Sequence, residues 1–125
     1  MKRLRSESGA AAVEFALVVP LLLVLLLGII EFGRVYNAQI QVTTAAREAV
    51  RVMAIENKSN LAVAAAISST PGLSPSLTSG QIAVGSCTSG TKTTTVTVTY
   101  SVDLLSGLFA DAVSLTGRSA MRCGG

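Results

Sequence analysis

Chemistry in this sequence is confined to a few residues. Glu14 is the only ionisable group within residues 10–30, cysteines stand at 87 and 123, and the chain of 125 residues has no histidine. A carboxylate at mid-bilayer costs roughly 2.5–3.5 kcal/mol on insertion scales. Glu14 must therefore protonate, reach toward water, or meet a cation. Two thiols alone are too few for a metal site, so Cys87 and Cys123 are read as a disulfide in an oxidising compartment. Closing a loop of about 36 residues stabilises by about 4 kcal/mol on the chain-entropy estimate. No Gly-x-Ser-x-Gly, Cys/His arrangement, phosphate loop or carboxylate pair occurs, and Glu31, Glu48, Glu56 and Asp103 are scattered. The expectation is a chain without catalytic residues, cofactor or metal.

These residues need elements to hold them. Residues 15–30 carry no charge at all, and the 21 residues 10–30 would reach about 31 Å as helix, roughly a bilayer's hydrocarbon thickness. Lys2, Arg3 and Arg5 precede this run and hold the N-terminus cytoplasmic by the positive-inside rule. A removed secretory signal would share that basic start. The run is longer than a usual signal core, no A-x-A-like site closes it, and helical patterning continues past it, so a retained anchor is the reading. Pro20 sits inside the anchor, where lipid-embedded helices tolerate it.

Past residue 30, Val35, Ala38, Val42, Ala45, Ala49 and Val52 recur at steps of three and four, one stripe of a helix. Arg34, Gln41, Thr44, Glu48 and Arg51 form its polar side, with Glu31/Arg34 and Glu48/Arg51 as i,i+3 pairs. The anchor is expected to continue into this amphipathic helix to about residue 57, some 70 Å in all. Its small-residue stripe permits close approach, either to the chain's own C-terminal part or to another subunit. Glu31, Phe32, Arg34 and Tyr36 read as the outer interface where the helix leaves lipid.

A second helix is expected over residues 60–69, capped by Ser59 or Asn60 and stopped by the TPG at 70–72. Residues 71–80 read as an exposed loop. The stretch TTTVTVTYSVDL alternates Val96, Val98, Tyr100 and Val102 with Thr95, Thr97, Thr99 and Ser101, the clearest strand in the chain. Residues 81–87 and 113–123 are weaker strands, SGTK at 89–92 closes a hairpin, and residues 104–112 form a short helical or irregular crossover. The fold class is therefore α+β: a long N-terminal helix, a short second helix and a small antiparallel sheet. By segment, 1–9 is a basic leader, 10–30 a transmembrane helix, 31–57 its amphipathic extension and 58–125 an extracytoplasmic head. The net charge is +3, but three of the basic residues lie in the leader and no basic stripe with interleaved aromatics remains. No nucleic acid is expected as a direct ligand.

Gly9 followed by AAAVEF, behind a basic leader, resembles the processing site of type IV prepilin-like proteins. That resemblance implies cleavage by a membrane aspartic protease, the prepilin peptidase, between Gly9 and Ala10. Glu14 then becomes the fifth residue of the mature chain, followed by Phe15. In such assemblies the glutamate of one subunit meets the amino terminus of its neighbour. More widely, AAVEFALVVPLLL, EFGR at 31–34 and TTAAREAVR at 43–51 are similar to the TadE-like family, minor pseudopilins of the tight adherence (Tad) pilus. The resemblance implies a non-catalytic subunit of the bacterial inner membrane, with other Tad pilins and pseudopilins and the Tad inner-membrane platform as partners. It also implies a part in pilus assembly or initiation for surface adherence. The alternative is a single-pass, membrane-anchored binding domain unrelated to pili.

Overall fold

The computed structural model describes residues 4–107 and 110–124. Helix α1 is Leu4–Glu56, α2 is Ser59–Ser68, and a single 3-10 turn, Ser79–Gln81, leads into the strands β1 (Ile82–Val84), β2 (Thr93–Asp103) and β3 (Ala112–Arg122). The α+β expectation is met. The chain divides after Gly33 into two compact units.

In the first unit all described residues are helical, including Pro20. Its apolar side chains are uncovered, from Phe15 (71% exposed) through Leu21 (70%) to Ile29 (62%). The most apolar 18-residue window has a mean hydropathy of 2.9 and none of it is buried. By length and composition this is a helix able to cross a membrane.

The second unit builds its core between the later part of α1, α2 and the sheet. The strand order is β1-β2-β3, antiparallel throughout, and β2 and β3 pair along their whole length from Thr93↔Arg122 to Asp103↔Ala112. Alternation in β2 places Thr94, Val96, Val98, Tyr100 and Val102 inside. Val96, Val98, Tyr100 and Val102 join Ala38, Val42, Ala45 and Ala49 of α1 in one cluster, so the helical stripe packs against the chain's own sheet. Ala46, Val50 and Met53 widen that stripe beyond its expected width.

Gly117 explains how closely the layers meet. A Cβ there would lie 2.7 Å from the carbonyl carbon of Val42 and 3.0 Å from the Thr43 nitrogen. Only a glycine lets β3 cross α1 at that point.

Several local expectations are corrected. The cap of α2 is Lys58, without a side-chain hydrogen bond, rather than Ser59 or Asn60. The loop at 71–80 is not wholly exposed, because Leu73 and Leu77 enter the core. Strands β2 and β3 pair antiparallel as neighbours, with Leu104 N donating to Asp111 O at 3.0 Å, rather than being linked by a crossover; residues 108 and 109 of that expected segment lie outside the described residues. Strand β1 ends at Val84 instead of reaching Cys87, since the backbone of Cys87 turns to the side chain of Asn57, just past the end of α1.

Candidate functional site

Helix α1 ends at Glu56, and Asn57 follows in the left-handed region (φ 50°), a conformation Asn tolerates better than most residues after a helix. Its backbone N–H donates to Met53 O at 3.0 Å. From there its carboxamide meets Cys87 twice: Nδ2 donates to Cys87 O at 2.9 Å, and Cys87 N donates to Oδ1 at 3.0 Å. The side chain thus replaces the partner strand that Cys87 lacks. Cys87 is bonded to Cys123, their Cα atoms 5.8 Å apart. Cys123 N donates to Lys92 O and Gly124 N to Ala54 O, both at 3.0 Å. One cross-link therefore gathers the end of α1, the β1–β2 connection and the end of β3. The cysteine pairing is the one read from the sequence.

At the opposite end of this unit, Arg34 donates to Asp103 O at 3.5 Å. Beside it a cavity of about 180 Å³ is lined by Arg34, Asn37, Gln41, Gly72, Ser74 and Tyr100 among others. Gly72 N donates to Gln41 Oε1 at 3.0 Å, and the Tyr100 hydroxyl donates to Pro75 O at 2.7 Å. Burial pushes the Tyr100 phenol above its ordinary pKa, and the Asp103 carboxylate adds to the shift. Gln41 and Tyr100 thus tie the 70–78 segment to α1 and to β2. Gln41, Asn57 and Tyr100 were not singled out as polar anchors in the sequence. The position of Asn57 at the end of a helical stripe is the one signal that could have marked it.

The N-terminal residues of interest all lie in α1. Gly9, Ala10, Glu14 and Phe15 are exposed and helical. Ala10 and Glu14 are four residues apart, so they share a face one turn apart. Farther along, Phe32 and Tyr36 are 72% and 60% exposed, whereas Glu31 is only 9% exposed. The four residues read as interface anchors thus divide into two exposed aromatics, a buried carboxylate, and an arginine that donates to a carbonyl of β2. Glu48 and Arg51 form an ion pair at 3.4 Å, but both remain well exposed, and such pairs contribute little. Among the described residues no group of three or more His, Cys, Asp or Glu side chains could hold a metal.

No curated protein and no solved structure matches the chain. The model of the TadE family, described as TadE-like protein, does match, over residues 9–51. The matched stretch begins at Gly9, takes in Glu14 and the exposed apolar run, and ends in the buried part of α1, leaving the sheet outside it. Over that stretch the chain is similar to the TadE-like proteins.

Proposed function

We propose that the chain is a minor pseudopilin of a Tad-type pilus, matured by prepilin peptidase after Gly9 and held by residues 10–30 in the bacterial inner membrane. Its N-terminus is cytoplasmic, residues 31–57 extend the anchor, and residues 58–125 form the extracytoplasmic head. It takes part in pilus assembly or initiation for surface adherence. The observation that carries this reading is an uncovered, membrane-length apolar stretch of α1, residues 10–30, whose sole ionisable residue is Glu14, five residues after Gly9. The family match over that segment supports it.

The physical reasoning concerns the carboxylate. Cleavage after Gly9 creates an α-ammonium at Ala10 and makes it the start of the helix. Glu14 then lies close to the positive end of the macrodipole. In a layer of low dielectric the carboxylate also needs a cation. The amine one turn away in the same helix and the amine of a neighbouring subunit both satisfy it. Only the neighbour's amine fixes an axial register between subunits.

The test is Glu14→Ala in a piliated host. Cleavage should remain, while co-isolation with other Tad pilins and piliation should fall. Wild-type piliation in that variant would refute pairing across subunits. The platform, the other pilins and the peptidase are the partners on this reading, and no cofactor takes part.

A further inference from the structure

The sheet has a second face, turned away from α1, that the core does not use. It carries Thr93, Thr95, Thr97, Thr99 and Ser101 on β2 and Ser114, Thr116, Arg118 and Arg122 on β3, all exposed or half-exposed. Register sets Arg118 beside Thr97 and Arg122 beside Thr93. Among the described residues neither arginine has an ion-pair partner.

Charge on this face is divided lengthwise. The carboxylate of Asp103 lies at the end where β2 passes to β3, and Arg118 and Arg122 lie toward the disulfide end. Asp103 is six residues along β2 from Thr97, the cross-strand neighbour of Arg118, so about 20 Å separates the two charges at strand rise. That distance exceeds the Debye length of about 8 Å at physiological salt. The arginines are therefore not neutralised from within the face.

We propose that this face binds an acidic polysaccharide, a polymer of uronic-acid type, with Arg118 and Arg122 taking its carboxylates and the Thr/Ser rows its hydroxyls. The geometry favours a chain over a small anion. Arg118 and Arg122 are separated by about 13–14 Å along β3, the hydroxyls repeat at every second residue, and none of these residues lines the cavity beside Arg34. Such a surface gathers affinity from many weak contacts along a polymer. Guanidinium forks match carboxylates, and hydroxyl side chains both donate and accept, as sugar hydroxyls do. A single-stranded nucleic acid is disfavoured because no aromatic side chain stands on the face for base stacking.

The full chain in a polyoxyethylene detergent, which offers no sugar headgroup, is presented to immobilised alginate and to neutral dextran. Alginate binding is expected, weakening from low to physiological salt, with dextran not bound. Arg118→Gln combined with Arg122→Gln should weaken alginate binding about tenfold, the effect of losing two exposed ion pairs. Arg47→Gln, removing an exposed cation on the helix, should leave it unchanged. Equal affinity for alginate and dextran, or equal loss in Arg47→Gln, overturns the proposal. So does stronger binding to phosphatidylglycerol vesicles or to a thymidine oligonucleotide than to alginate. If the double variant aggregates yet binds alginate as wild type does, the arginines only guard an edge strand and the proposal fails. The assay reads the same on cleaved and uncleaved chain, so its failure leaves maturation at Gly9 untouched.

Discussion

Gly117→Ala adds a single methyl group and should be among the most damaging small changes in the head. The new Cβ would stand 2.7 Å from the carbonyl carbon of Val42 and 3.0 Å from the nitrogen of Thr43. Both atoms are backbone of a helix whose side chains at 42, 45, 46 and 49 are fully buried, so no flexible side chain can yield. The layers must move apart by several tenths of an ångström or β3 must shift. Overpacking of a well-filled core costs about 1–3 kcal/mol, and the rigid partner places this case at the upper end. For a unit of this size each kcal/mol lowers Tm by roughly 4–8 °C, so a fall of about 10–20 °C is expected. The assay is thermal unfolding of the full chain in micelles, followed by near-ultraviolet circular dichroism. Gly90→Ala is the control, since a Cβ there meets nothing within 4 Å, and its Tm should stay level or rise slightly. A Gly117→Ala protein that melts within about two degrees of wild type, well under the shift expected from one kcal/mol, would refute the crossing of β3 over α1 at Val42.

Asn57→Ala removes two hydrogen bonds to Cys87 and places a Cβ-bearing residue poorly suited to φ 50° there. It should cost about 1–2 kcal/mol in the same melt, with Asn57→Gly recovering the backbone part but not the bonds. Tyr100→Phe loses the 2.7 Å bond to Pro75 O, about 1 kcal/mol at neutral pH. Because the folded phenol titrates above its unfolded value, its contribution is complete below pH 10, the unfolded pKa, and is lost as pH rises from there through the folded pKa. Wild-type stability measured against pH should therefore fall in that alkaline range, and the Phe variant should show a flatter fall.

Much of this architecture is local and therefore legible. Three-and-four spacing located the buried face of α1 at Ala38, Val42, Ala45 and Ala49, and strict alternation located the inner face of β2. The cysteines paired as their positions at the ends of neighbouring segments suggested. What escaped depends on residues far apart in sequence. The contacts of Gly117 with Val42, Asn57 with Cys87, and Tyr100 with Pro75 join segments 25 or more residues apart, and periodicity carries no trace of them. Composition misled at Leu73 and Leu77, apolar residues in a Ser- and Pro-rich loop that the core draws in. Strand β1 was read too long because the carboxamide of Asn57 satisfies Cys87 in place of a ladder. Gly117 had a signal in hindsight: a glycine inside a strand often marks a close approach of backbones. For the N-terminal residues the sequence pattern and the family match carry the functional reading, while the fold contributes their exposure and helical spacing.

The central claim is that Glu14 stands where it does because proteolysis exposes an amine at Ala10. Its most direct test is the intact mass and N-terminal sequence of the membrane-extracted chain from a host with an active prepilin peptidase. Loss of residues 1–9, with Ala10 as the first residue, is expected. A chain that retains Met1 while other prepilins in the same cells are cut would contradict it, leaving a tethered head whose Glu14 needs another explanation.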